Sequence, residues 1–229
     1  MAQYQTWEQE YKNPQLVAKS SEPQLEFKKF VKWLRKDQKV NLEGLRVLDL
    51  GSGMGKHSLF LAERGCHVTG IEISDTALRV ARDRVEHSNL KIDFQKGDIG
   101  QLWPFENKSF NLSLDIISSN SLSETERKVY ISELYRTLKP GGYVFVRALC
   151  KDGDKNAENL LKKFPGKELD TYVMPGTNII ERVFTKADIE GLYKYFEIKH
   201  LERKFSYTMF QGKSYKRHFW LVYLKKASK

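Results

Sequence analysis

Residues 47–55 read Val47-Leu48-Asp49-Leu50-Gly51-Ser52-Gly53-Met54-Gly55, an apolar run closed by an acid and three alternating glycines. These residue types suit holding a ligand rather than attacking a bond. Val47 and Leu48 fit a strand buried on both faces of a parallel sheet. Gly51, Gly53 and Gly55, with Ser52 among them, let the backbone turn sharply and bring bare N–H groups to a ligand at a helix start. A dinucleotide-binding loop usually spaces its glycines as GxGxxG. Here the spacing is GxGxG, with Lys56 in the last place. Asp49, two residues before the first glycine, would repel a pyrophosphate but can meet a cationic amino group, directly or through water.

More acids recur at strand ends. His67-Val68-Thr69-Gly70-Ile71-Glu72-Ile73-Ser74 reads as a second strand. Glu72 falls about 20 residues after the glycine loop, where such folds place a carboxylate on ribose hydroxyls. A third strand near Ile92–Gln95 leads to Gly97-Asp98-Ile99, a fourth over 110–117 carries Asp115, and Leu138-Lys139-Pro140-Gly141-Gly142 precedes a fifth. In this order, over residues 45–148, the chain resembles the class I S-adenosylmethionine-dependent methyltransferases. The resemblance implies S-adenosylmethionine as cofactor and S-adenosylhomocysteine as product. It also implies a Rossmann-like, doubly wound, mostly parallel seven-stranded sheet with an antiparallel C-terminal hairpin. Asp98 would then accept the adenine amino group, with Ile99 against the ring and Ile73 beside Glu72. Asp115 either approaches the methionine end or simply finishes its strand. Within the family, the chain looks nearest the compact small-molecule branch of tellurite-resistance and thiopurine-type enzymes.

Methyl transfer by in-line displacement asks mainly for positioning, so no universal catalytic residue marks the family and none is assigned. Some chemistries can be set aside. The stretch Asp115-Ile116-Ile117-Ser118-Ser119-Asn120 lacks the Asp/Asn-Pro-Pro-aromatic tetrad of exocyclic amine methylation. Cys66 and Cys150 show no metal-ligand spacing, and Cys150 lacks the usual neighbours of a pyrimidine-attacking thiol. A lone Asp115 is not a metal-binding carboxylate cluster, so no metal is expected. Trp7 and Tyr11 sit in a polar N-terminal segment that reads either as a lid over the cofactor or as a surface arm. Tyr172 either walls the acceptor or packs as an ordinary core aromatic.

The elements that position these residues follow from periodicity and caps. Residues 1–44 form a lid segment plus an amphipathic helix over 22–36, whose Phe27, Phe30, Val31 and Leu34 share one face. Residues 45–229 form the methyltransferase domain. Ser74 or Asp75 opens one helix, and Ser123 with Glu126 forms a capping box for another. Lys151 to about Pro175 reads as a polar insertion, and Thr185-Lys186-Ala187-Asp188 starts a last helix. Two strands, about 196–202 and 219–225, close the chain around a loop containing Gln211-Gly212-Lys213.

The 229 residues carry 39 basic and 29 acidic side chains, a net +10. That raises the prospect of a polyanionic partner, and the basic, aromatic-rich stretch from Arg203 to the C-terminus could serve one. A solvated hairpin edge protected by lysines is the favoured alternative. No apolar run approaches the ~18 residues of a membrane span. A cytoplasmic enzyme methylating a small-molecule acceptor is the expectation. The alternatives are an RNA or protein methyltransferase using the basic face and a catalytically silent cofactor-binding subunit. Oligomeric state is not legible.

Overall fold

The computed structural model describes residues 3–17 and 22–228. Five parallel strands, β1 (Arg46–Leu50), β2 (His67–Glu72), β3 (Ile92–Lys96), β4 (Phe110–Ile116) and β5 (Leu138–Leu149), are joined by a long hairpin. The hairpin strands β8 (Glu197–Phe210) and β9 (Lys213–Lys225) complete the sheet in the order β3-β2-β1-β4-β5-β9-β8. β9 runs antiparallel to β5 and to β8. The expected Rossmann-like, seven-stranded sheet is therefore present.

Registers Leu50↔Asp115 and Ile116↔Arg147 bring the carboxyl ends of β1, β4 and β5 to one edge. In open α/β sheets that edge is where ligands bind. Helices cover both faces. Helix α2 (Leu25–Lys36) buries Phe27, Phe30, Val31 and Leu34 against Val47, Leu112, Phe145 and Tyr223, with α3 (Lys56–Ala62) beside it. Phe30 is fully buried and stacks on Phe145 at 5.0 Å. Truncating it to alanine should cost about 3–5 kcal/mol. On the other face, α5 (Glu124–Thr137) and α7 (Lys186–Leu192) contribute Tyr130, Leu134 and Ile189 against Leu48, Val144, Val146 and Trp220. Helix α5 opens with the expected capping box of Ser123 and Glu126, and α7, at its expected start, opens with a second one, Thr185 with Asp188. Helix α4 (Asp75–Asp83) is capped by Ser74, whose Oγ accepts from the Ala77 N–H, and seats Leu78 and Ala81 on Phe94.

Three expectations need amending. The amphipathic N-terminal helix begins at Leu25, three residues later than the expected 22. The stretch 151–175 is not structureless. It contains α6 (Lys155–Lys163), N-capped by Asp154, and β6 (Thr171–Val173), which pairs with β7 (Ile180–Arg182). The closing strands run far beyond their expected ends and meet at a turn over 211–212, so residues 203–210 and 213–218 are paired strand, not loop. Polar and charged side chains on the solvated face of β8 hide that extension from a hydrophobicity reading. The N-terminal segment is also ordered, as α1 (Tyr4–Lys12).

Candidate active site

A cavity of about 880 Å³ opens at the carboxyl edge of the sheet. The glycine loop forms one wall. Gly51 and Gly53 both adopt left-handed backbone, at φ 67° and 55°. A Cβ on Gly51 would lie 2.6 Å from the Ser118 Cβ, and one on Gly53 would lie 2.7 Å from the Tyr11 hydroxyl. Only glycine meets both demands at either position.

Glu72 lies beside this loop and lines the cavity, 4 % exposed. One carboxylate oxygen accepts from the Gly53 N–H at 2.8 Å, the other from the Ser74 N–H at 2.8 Å. Burial raises its pKa against those two bonds. Each oxygen keeps a second lone pair for a ligand hydroxyl. Ile73, Asp98 and Ile99 also line the cavity, as do Ser52, Trp7 and Tyr11. Asp98 accepts from the Gly100 N–H at 2.8 Å.

Four of the residues singled out in the sequence stand behind the cavity wall. Asp49 is buried in β1 and accepts from the Ser58 hydroxyl at 2.7 Å. Burial, with Asp115 repelling it in addition, pushes its pKa up to about 6. Asp115 accepts from the Ser118 and Ser119 N–H groups and from the Tyr130 hydroxyl, so it pins the turn after β4. Gly55 packs against Phe94. Tyr172 is fully buried; its hydroxyl donates to Glu181 at 2.7 Å and accepts from Arg217 at 3.0 Å. It supports the wall formed by Glu181 and Arg217 without lining the cavity itself.

Helix α1 crosses this edge, held by polar contacts. Glu8 accepts from the Ser74 hydroxyl at 2.7 Å, the Thr76 hydroxyl at 2.7 Å and the Thr76 N–H at 3.1 Å, adding to the cap of α4. Despite an opposing desolvation effect, these bonds and Lys12 hold its pKa down at about 2. The Tyr4 hydroxyl donates to Asp75 at 2.7 Å, and Gln3 bonds the backbone at Ile180 and Ser121. Burial, then the carboxylates of Glu72, Glu10 and Asp49, raise the Tyr11 pKa, keeping it a neutral hydroxyl.

The cavity is also lined by Lys56 and His57, directly after the glycine loop, and by residues that motif reading does not reach: Arg147, Leu149, Glu181, Arg217 and Phe219. Their only sequence signal is position, since Arg147 and Leu149 end β5 and Arg217 and Phe219 lie opposite on β9. His57 is held to the Gln24 side chain, and burial lowers its pKa to about 3, so it is neutral. Among the described residues no group of three or more His, Cys, Asp or Glu could hold a metal.

The sheet order, with the glycine loop and Glu72 at its carboxyl edge, is that of a Rossmann-like α/β protein. The comparisons agree. The model of the family described as a methyltransferase domain matches residues 47–142. A ubiquinone biosynthesis O-methyltransferase of Dechloromonas aromatica is 30% identical over 162 residues, 69% of this chain and 66% of its own length. A protein of the same name from Marinobacter nauticus is 30% identical over 141 residues, 61% of this chain and 57% of its own length. The chain thus spans somewhat under two thirds of the length of these relatives. A SAM-dependent methyltransferase structure from Methanosarcina mazei superposes with TM-score 0.71 at 27% identity, covering 82% of this chain and 94% of that one. TehB of Haemophilus influenzae shares the fold, with TM-score 0.64 at 18% identity over 86% of this chain and 62% of that one. Residues 47–142 are thus a methyltransferase domain, on the fold of a SAM-dependent methyltransferase structure.

Proposed function

We propose that this protein binds S-adenosylmethionine in the glycine-loop half of the cavity and methylates a small molecule held in the other half. The observation that carries this reading is Glu72, buried on the cavity wall with both oxygens fixed by backbone N–H groups and lone pairs to spare. It would accept the ribose hydroxyls. Asp98 would take the adenine amino group, with Ile73 and Ile99 against the ring. Gly51, Ser52 and Gly53 would pass under the methionine portion, with Asp49 and Asp115 shaping that end from behind. The bound cofactor supplies a methyl group on a positively charged sulfur. The chain supplies alignment and exclusion of water.

Helix α1 would act as the lid over this site, with residues 1–44 as its accessory segment and 45–229 as the methyltransferase domain. Trp7 would close the acceptor side, and Tyr172 would stiffen the wall from behind. Two cations of the C-terminal stretch are already engaged: Arg217 pairs with Asp154 at 3.1 Å, and the Lys226 Nζ donates to the Tyr135 and Leu138 carbonyls. That weighs against a nucleic-acid surface there. No helix among the described residues is long and apolar enough to cross a membrane. Cys66 and Cys150 are buried free thiols, with pKa values raised by burial to about 11 and about 12. They fit a reducing, cytoplasmic setting.

The test is S-adenosylhomocysteine release during turnover over a mixed panel of hydroxylated, amino and thiol small molecules. Release with at least one acceptor, abolished by Gly53→Val, is the expected outcome. Strong S-adenosylhomocysteine binding with release only on RNA or protein would exclude the small-molecule reading.

A further inference from the structure

The acceptor half of the cavity contains a deeply buried cation whose surroundings are incomplete. Arg147, at the end of β5, is 6 % exposed and lines the cavity. Its Nη2 donates to the Ser206 hydroxyl at 3.1 Å, and its guanidinium carbon lies 3.5 Å from the centre of the Phe219 ring. Its Nε is buried with no hydrogen-bond partner, and among the described residues no carboxylate lies within ion-pair distance of it. Glu26, which also lines the cavity, acts on it only through space. Burial depresses its pKa to about 10, so it remains charged near neutrality. Arg217, on the neighbouring strand, differs: its Nε bonds Asp154 at 3.1 Å and its Nη2 bonds the Tyr172 hydroxyl at 3.0 Å.

A buried charge is costly unless it is paired. Stacking on Phe219 and one neutral hydroxyl offset part of that cost. What remains is a planar donor fork of the geometry that grips a carboxylate or phosphate through two bonds. Position assigns this fork to the acceptor. In the sheet, β5 lies two strands from β1 and its glycine loop, a separation of about 10 Å. The adjoining wall is apolar, made by Leu149, Phe219, Ile117 and Leu16.

Resting on the reading of this cavity as a methyltransferase site, we propose that the acceptor is a small molecule with an apolar body and one oxyanion, gripped by Arg147. Arg147 is then a specificity-determining residue, and the substrate class is an apolar carboxylate or monophosphate ester. The anion completes the Arg147 hydrogen bonds while the apolar body lies along Leu149 and Phe219.

The experiment measures binding of benzoate, phenyl phosphate, benzamide and benzyl alcohol by calorimetry and ligand-observed NMR. It uses the full chain with and without S-adenosylhomocysteine. At least one of the two anions should bind at least tenfold tighter than both neutral probes, and the preferred anion tells carboxylate from phosphate. Arg147→Gln should abolish that preference, a loss of about tenfold or more as expected for a charged hydrogen-bonded pair. Arg147→Lys, which keeps the charge but not the fork, should retain part of it and guards against failure of the Gln variant to fold. Neither variant should move S-adenosylhomocysteine affinity more than about twofold, because Arg147 stands about 10 Å from the glycine loop, where independent sites scarcely couple. Anions and neutral probes binding equally, or none binding, overturns the proposal. So does a parallel loss of S-adenosylhomocysteine affinity, which would assign Arg147 to the cofactor carboxylate. Failure of S-adenosylhomocysteine to bind the wild-type chain would instead overturn the methyltransferase reading, while the probes without it still report on Arg147.

Discussion

Glu72 meets two demands with one carboxylate. It ties the glycine loop to the start of α4 through Gly53 and Ser74, and it faces the cavity with its remaining lone pairs. A carboxamide of the same shape has one acceptor end and one donor end, so one backbone N–H would face another donor. Glu72→Gln should therefore weaken S-adenosylhomocysteine binding by about 1.5–3 kcal/mol, the range for a hydrogen bond to a charged group. Calorimetry on the folded variant would measure it; a loss under about 0.5 kcal/mol would leave Glu72 a loop fastener only. At this scale the sequence was informative where backbone geometry and charge recur at fixed spacing, as in Gly51, Gly53 and Glu72. It could not place Arg147 or Arg217. Their role depends on which strand lies beside β5, and nothing within either strand encodes that neighbour. Nor could it separate Asp98, on the cavity wall, from Asp49 and Asp115 behind it, because all three are acids near strand ends.

Helix α1 joins the sheet through few contacts that matter much. Glu8 gathers two hydroxyls and a backbone N–H at the start of α4, and its low pKa measures how much the docked state favours the charged form. The sign is that of a depressed acid. Its contribution to docking is full above about pH 4.5 and is lost as pH falls toward 2. Glu8→Ala should release α1, raising hydrogen exchange over residues 4–12 and lowering cofactor affinity, while the melting temperature of the sheet changes little. Unchanged exchange in the variant would show that Gln3, Tyr4 and packing hold α1 without Glu8. The helices α4, α5 and α7 were legible because each carries a side-chain cap before its apolar positions, such as Ser123 with Glu126 before Val129 and Leu134. Helix α1 was harder to see: Tyr4, Trp7 and Tyr11 share one helical face by spacing, but no side-chain cap opens the helix and its order comes from partners across the chain. Helix α6 did carry a signal, the Asp154 cap and the basic last turn of Lys162 and Lys163, but in a stretch polar enough to read as loop.

Across the whole molecule, the carboxyl edge of the sheet concentrates buried carboxylates that a cationic ligand would relieve. Asp49, Glu72 and Asp115 all have pKa values raised by burial, and Asp49 reaches about 6. An acid whose pKa is higher folded than unfolded holds its proton longer in the native state. Stability is then greatest below the unfolded value and falls as pH rises through the folded one. For Asp49 the window runs from about 4 to about 6, and the cost of ionising it is of order 3 kcal/mol. The chain's net +10 pulls the other way, because self-repulsion eases as pH rises. The discriminating quantity is thus the difference between wild type and Asp49→Asn. Asparagine cannot ionise, so the variant should gain on the wild type from pH 4 to 6, with the difference levelling off above that. Saturating S-adenosylhomocysteine, whose ammonium favours the charged carboxylates, should shrink the difference and release protons on binding near pH 6. Thermal melts across this range, with calorimetry in buffers of different ionisation enthalpy, would check both. A constant difference between the two proteins from pH 4 to 7 would mean that Asp49 ionises as freely inside the fold as outside it. The buried acids would then have no part in attracting a positively charged cofactor.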